Sequence, residues 1–133
     1  MRPIPIGANG TFELVVEPHH LASQFKDVIL PSVFATPMMV LVMENAALNA
    51  VREFLESGDA VLGTRIDVQH IAPTPVGHRI RAEAEVVNVE EKHIKFRVTA
   101  WDEIEEIGGG THERVVVDLS RIARRLENKR HKD

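Results

Sequence analysis

Apolar residues follow two rhythms along this chain, and the change between them falls near Gly58. Before it, Pro37-Met-Met-Val-Leu-Val-Met-Glu-Asn-Ala-Ala-Leu-Asn-Ala-Val51 is almost wholly apolar, which predicts a helix covered on nearly every side. Thr36 is a suitable N-cap, and Pro37 suits the first helical position. The run turns amphipathic toward Arg52, Glu53 and Glu56, and Ser57-Gly58 supplies a stop. After Gly58 the period becomes two. Leu62, Thr64, Ile66, Val68 and His70 fall on one face of a strand, with Arg65, Asp67 and Gln69 on the other. Ile80, Ala82, Ala84 and Val86 alternate with Arg79, Arg81, Glu83 and Glu85. Ile94, Phe96, Val98 and Ala100 alternate with His93, Lys95, Arg97 and Thr99. Pro73 to Gly77 and Asn88 to Lys92 are turns. Gly108-Gly-Gly110 interrupts the pattern, Thr111 to Leu119 forms a last strand, and Ser120 caps a short helix. Upstream, Thr11 to Glu17 alternates enough for a further short strand, while Pro18 to Pro31 is mixed.

Short connections between strands predict antiparallel neighbours. One face of each strand is apolar and the other charged, as in a sheet covered on one side, and the long helix is apolar enough to be the cover. The expected class is therefore α+β, with an antiparallel sheet wrapped around a central helix, the form of the hot-dog fold. The 133 residues suit one domain, 1–133, with no linker or repeat. A lone sheet leaves an open edge, and pairing edges in a homodimer removes it.

Composition narrows the function. The net charge of -4 argues against a nucleic-acid partner. The basic segment from Arg121 to Lys132 is diluted by Glu127 and Asp133 and reads as a solvated terminal helix. The absence of cysteine excludes disulfides, thiolate catalysis and cysteine-ligated metals. No signal-peptide core or bilayer-length apolar run is present, so the expected setting is cytoplasmic, with no membrane partner.

Glu44 is the most informative residue, because a carboxylate within an apolar helix needs partners or a use. His70 shares the helix-facing side of its strand with Ile66 and Val68. An imidazole there is a satisfied core group or, with Glu44, half of an acid/base pair suited to neutral pH. Gly63 has no side chain, so its N–H can approach a substrate oxygen closely, or the glycine marks a kink. Arg114, in Gly108-Gly-Gly-Thr-His-Glu-Arg114, either pairs with Glu113 or Asp118 or holds a phosphate. The histidines, including His19 and His20, show no metal-ligand spacing, and no Gly-x-Ser-x-Gly nucleophile elbow occurs.

The chain resembles the fluoroacetyl-CoA thioesterase-like family of hot-dog thioesterases. The resemblance runs from about Val33 to Leu126. It rests on Val33-Phe-Ala-Thr36, on Met43-Glu44, on Gly63-Thr64 with His70, on Pro75-x-Gly77 and on Glu106-Ile-Gly-x-Gly-Thr-His-Glu-Arg114. It implies an acyl-CoA thioesterase with no cofactor beyond the CoA of its substrate. Thr36, Glu44 and His70 match the family's catalytic set, with Glu44 as nucleophile or general base. Gly63 and Arg114 match substrate-binding positions. Where the fluoroacetyl-specific enzyme carries a phenylalanine gate, this chain has Leu30. Thr36 and Glu44 stand eight residues apart, about 12 Å along a helix and roughly 80° around it. Direct contact within one chain is not expected, and a site shared between protomers is the simplest way for them to cooperate. The rival readings are a non-catalytic acyl-CoA-binding protein and a hot-dog dehydratase.

Overall fold

A computed structural model describes residues 1–131, so Lys132 and Asp133 of the basic terminal segment lie outside it. Strand β1 spans Asn9–Val15, and a short helix α1 spans Ala22–Phe25. The long helix α2 covers Thr36–Val51. Strands β2 (Asp59–His70), β3 (Arg79–Glu90), β4 (His93–Trp101) and β5 (Glu106–Asp118) follow, then helix α3 (Leu119–Arg130). The strands form one antiparallel sheet in the order β1-β3-β4-β5-β2.

The alternation seen in the sequence becomes the core. Ile80, Ala82, Ala84 and Val86 of β3, and Ile94, Phe96, Val98 and Ala100 of β4, are buried. They lie against α2, which buries Met39, Val42, Met43, Ala46, Ala47, Ala50 and Val51. Each fully buried Val, Met, Ile or Phe contributes about 1.5–3 kcal/mol relative to exposure. The alanines on both layers let helix and sheet approach closely. At Gly10 the approach is closest: a Cβ there would lie 2.5 Å from the Ala46 carbonyl oxygen and 2.7 Å from the Asn49 carbonyl carbon.

Several local expectations change. The N-cap of α2 is Ala35, and Thr36 is the first helical residue, which frees its hydroxyl for another partner. The α-helix ends at Val51 and tightens into a 3₁₀ turn over Arg52–Phe54 before Gly58. The helix is not covered all round, because Leu41, Glu44, Asn45 and Leu48 keep an open stripe. The first strand is shifted upstream of the expected Thr11 to Glu17. Gly108 to Gly110 lie inside β5 rather than interrupting it, paired with β2 and β4 on either side, and a Cβ at Gly108 would collide with Met39. Asp118, not Ser120, caps α3: its Oδ1 accepts from the Ser120 N–H and hydroxyl, both at 2.8 Å.

Strand β2 does not pair with β3 despite the short connection. It sits at the far edge beside β5, and β1 takes the place next to β3. Within β2 the register shifts between Gly63 and Arg65, so Thr64 is an extra residue. Paired residues share a face. Val61 and Gly63 therefore face inward with Val116 and Arg114, while Ile66 and His70 face inward with His112 and Gly108. The expected inward set was right beyond the bulge and out of phase before it.

Candidate active site

Two constellations arise where α2 meets β2. The first joins the start of α2 to the end of β2. Thr36 Oγ1 and His70 Nδ1 are 2.8 Å apart, a contact between residues that the helix start and strand end bring together. Burial pushes the His70 pKa below the ordinary histidine value, opposed by a weaker interaction with the Ala72 backbone. The imidazole is thus neutral at neutral pH. Its Nε2 is buried and has no hydrogen-bond partner. Both side chains border a cleft of about 350 Å³ lined by Leu30, Val33, Phe34, Ile71, Ala72 and others, with Lys26 at the side.

The second constellation joins the middle of α2 to the first half of β2 and to β5. A Cβ on Gly63 would lie 3.1 Å from Glu44 Oε2 and 3.4 Å from His112 Cε1, so the missing side chain is what admits the carboxylate. The bulge at Thr64 turns Gly63 toward Glu44, and the Thr64 hydroxyl anchors the bulge by donating to the Glu113 carbonyl at 3.2 Å. Arg114 is nearly buried and stands 3.9 Å from Glu44 Oε2. Its Nη2 donates to the Val61 carbonyl at 3.1 Å, while its Nε is buried without a partner.

His112 was not singled out from the sequence, although its strand parity matches that of Arg114. It is 1% exposed and stacks on Phe96, with ring centroids 5.7 Å apart. Its tautomer is determined by its neighbours. Nδ1 lies 2.8 Å from the Arg65 carbonyl and must donate there; Nε2 then accepts from Arg114 Nη1 at 3.1 Å. A second ring proton would face the guanidinium N–H. Burial, with the Arg114 charge adding to it, lowers the His112 pKa against the opposing pull of the Arg65 carbonyl and two glutamates. His112 is therefore a neutral prop that aims Arg114 at Glu44.

The expected meeting of Glu44 with His70 does not occur within one chain. Glu44 meets His112 instead, and it is half-exposed rather than buried, because the stripe of α2 that carries it is uncovered. The expected separation of Thr36 from Glu44 is met: they border different clefts. Arg114 pairs with neither Glu113 nor Asp118. Glu17, His19 and His20 converge, with ligand atoms within 4.8 Å of one another. However, His20 Nδ1 accepts the Glu17 N–H at 2.9 Å, so neutral His20 keeps its proton on Nε2 and offers a metal no free lone pair. That group caps the turn at Pro18–His20.

The curled antiparallel sheet around α2 defines an α+β protein of the hot-dog class, and a hot-dog-like protein from Thermanaerovibrio acidaminovorans shares the fold (TM-score 0.85, 21% identity, 98% of this chain and 95% of that one). The chain belongs to the fluoroacetyl-CoA-specific thioesterase family, whose pattern matches residues 16–120. It is 40% identical over 129 residues to the fluoroacetyl-CoA thioesterase of Streptantibioticus cattleyicolor, covering 93% of each protein. A solved structure of the fluoroacetyl-CoA thioesterase FlK superposes with a TM-score of 0.90 at 37% identity, covering 96% of this chain and 98% of that one.

Proposed function

We propose that this protein is an acyl-CoA thioesterase whose active site is shared across a homodimer. The observation that carries the reading is the division of the chemistry into two incomplete halves. Thr36 and His70 supply a hydroxyl and a neutral imidazole at one end of α2 and β2. Glu44, Gly63 and Arg114 supply a carboxylate, an uncluttered backbone and a nearly buried cation around the middle of α2. A partner chain bringing its Thr36–His70 cleft to the open stripe of α2 completes both sites. The exposed β2 edge offers the pairing surface.

In the completed site the Glu44 carboxylate attacks the thioester carbonyl or takes a proton from the attacking water. The Gly63 backbone N–H receives the developing oxyanion. With Glu44 as base, the water oxygen forms the new C–O bond, the C–S bond breaks, and the thiolate leaves as CoA with a proton relayed through His70 and Thr36. With Glu44 as nucleophile, the same departure leaves an acyl–Glu44 anhydride, which a water molecule hydrolyses to the free acid, restoring the carboxylate. Arg114 holds the carboxylate in place. The second half of the reading concerns the acyl group. Leu30 lines the Thr36–His70 cleft where the family resemblance leads one to expect an aromatic gate. Leucine lacks an aromatic edge to meet a C–F dipole. Apolar pockets separate near-isosteres by only about 1–3 kcal/mol. The substrate is then an ordinary short or medium acyl-CoA, with little preference for fluoroacetyl-CoA over acetyl-CoA.

Release of free CoA from a panel of acyl-CoAs tests the activity. Glu44→Gln keeps the side-chain shape and removes the base, so hydrolysis is expected to fall to background while the assembly is retained. Wild-type turnover in Glu44→Gln would remove the carboxylate from the mechanism. For selectivity, the ratio of kcat/KM between fluoroacetyl-CoA and acetyl-CoA is expected to stay below about 200-fold, the upper end of what ~1–3 kcal/mol allows. A ratio in the thousands would show that another residue does the work assigned to an aromatic gate.

A further inference from the structure

Beyond Arg114, strand β5 leads into a second cleft, of about 550 Å³, formed with α3 and the β3–β4 turn. Lys92, Arg121, Arg124 and Arg125 border it, with Asp118 the single carboxylate and Val116, Val117 and Ile122 giving it an apolar floor. The four cations form no ion pair among the described residues; the carboxylate of Glu127 is taken instead by Arg130 and His131. Arg121, Arg124, Arg125 and Asn128 follow helical spacing, so one face of α3 presents them together. Asp118 is already engaged in capping that helix. The cleft is thus locally cationic on a chain whose net charge is -4.

We infer that this cleft binds the phosphorylated nucleotide end of the CoA thioester, the arginines and Lys92 taking its phosphates and the apolar floor taking the adenine face. The inference rests on the thioesterase reading for its connection to catalysis, and three further observations support it. Arginine forks match phosphate oxygens, and unpaired ones can do so without first breaking an ion pair. The cleft is of a size that suits a small ligand. Arg114 to Asp118 is four residues of strand, about 13 Å at the usual rise per residue. A pantetheine arm spans such a gap between a thioester at Gly63 and phosphates at α3. The basic C-terminal segment is then a ligand site rather than a merely solvated helix face.

The test uses adenosine 3′,5′-bisphosphate as the probe, titrated calorimetrically into the wild-type protein and into the triple variant R121Q/R124Q/R125Q. These side chains are exposed or partly exposed, so the variant keeps its fold, which circular dichroism checks. Saturable binding to the wild type, weakened at least about tenfold in the variant, is expected from the loss of several charge-assisted contacts. Unphosphorylated adenosine should not compete. No binding by the wild type at millimolar probe, or equal binding by the variant, overturns the inference. A kinetic arm compares acyl-CoA with the same acyl group on pantetheine. The ratio of their kcat/KM values should fall about tenfold in the variant, through KM for acyl-CoA. An unchanged ratio overturns the inference and leaves the thioesterase reading standing. If neither substrate is hydrolysed by the wild type, the thioesterase reading fails, and the titration alone decides the cleft.

Discussion

His112 shows how much of a site is decided one side chain at a time. Its ring donates to the Arg65 carbonyl, accepts from Arg114 and stacks on Phe96, so its proton, plane and position are all assigned. Replacing it with phenylalanine separates packing from hydrogen bonding. His112→Phe keeps the stack but strands the Arg65 carbonyl and frees Arg114 to turn away from Glu44. A stability loss of about 1–3 kcal/mol is expected from the unsatisfied carbonyl. The fall in kcat/KM should be about tenfold, one pair of donor and acceptor groups. Urea denaturation and steady-state kinetics read the two effects separately. Undiminished kcat/KM in a destabilised protein would reduce His112 to a packing residue.

Helix α2 and strand β1 meet with almost nothing between them. The absent side chain of Gly10 is the reason, because the nearest atoms are the backbone of Ala46, Asn49 and Ala50, which cannot swing aside as a side chain can. Gly10→Ala is expected to cost about 2–3 kcal/mol by forcing strand and helix apart. The denaturant midpoint should fall with little change in slope, and an unaltered midpoint would mean that β1 lifts away freely. At this scale the sequence was informative where burial is uniform along an element. Every alternating apolar residue of β3 and β4 quoted from the sequence is buried, and α2 begins at the Thr36-Pro37 boundary. It was uninformative where tertiary contact overrides a local rule. Thr36 looks like a cap until His70 arrives from 34 residues away. The glycines of β5 look like a break until Met39 packs against Gly108 and the backbone of β2 closes on Gly110. The bulge at Thr64 leaves no mark in composition, because threonine suits both a regular strand and an interruption. With the phase of β2 unknown before that point, the neighbours of Gly63 could not be read either.

At the scale of the whole molecule, the proposed homodimer with its shared site predicts how defective chains behave together. Thr36→Ala disables one half and Glu44→Gln the other. A mixed dimer of the two variants carries one site with both defects and one with neither. Co-refolding equal amounts of the two inactive proteins should therefore restore part of the wild-type rate, about a quarter when subunits assort at random. Subunits shown to have exchanged, yet with no recovered activity, would mean that both residues act in the same chain's site. The bulge also determines where a chain of this design can change length. It divides β2 into two stretches of opposite phase, tuned so that Gly63 and His70 look the same way. A residue inserted or deleted between Gly63 and Ile66 turns one stretch over relative to the other, taking Gly63 from Glu44 or His70 from Thr36. The same insertion in residues 71–78 touches neither phase. Gaps can therefore accumulate in the link after β2, while the interval from Gly63 to His70 is a ruler whose length the contacts with Glu44 and Thr36 hold constant.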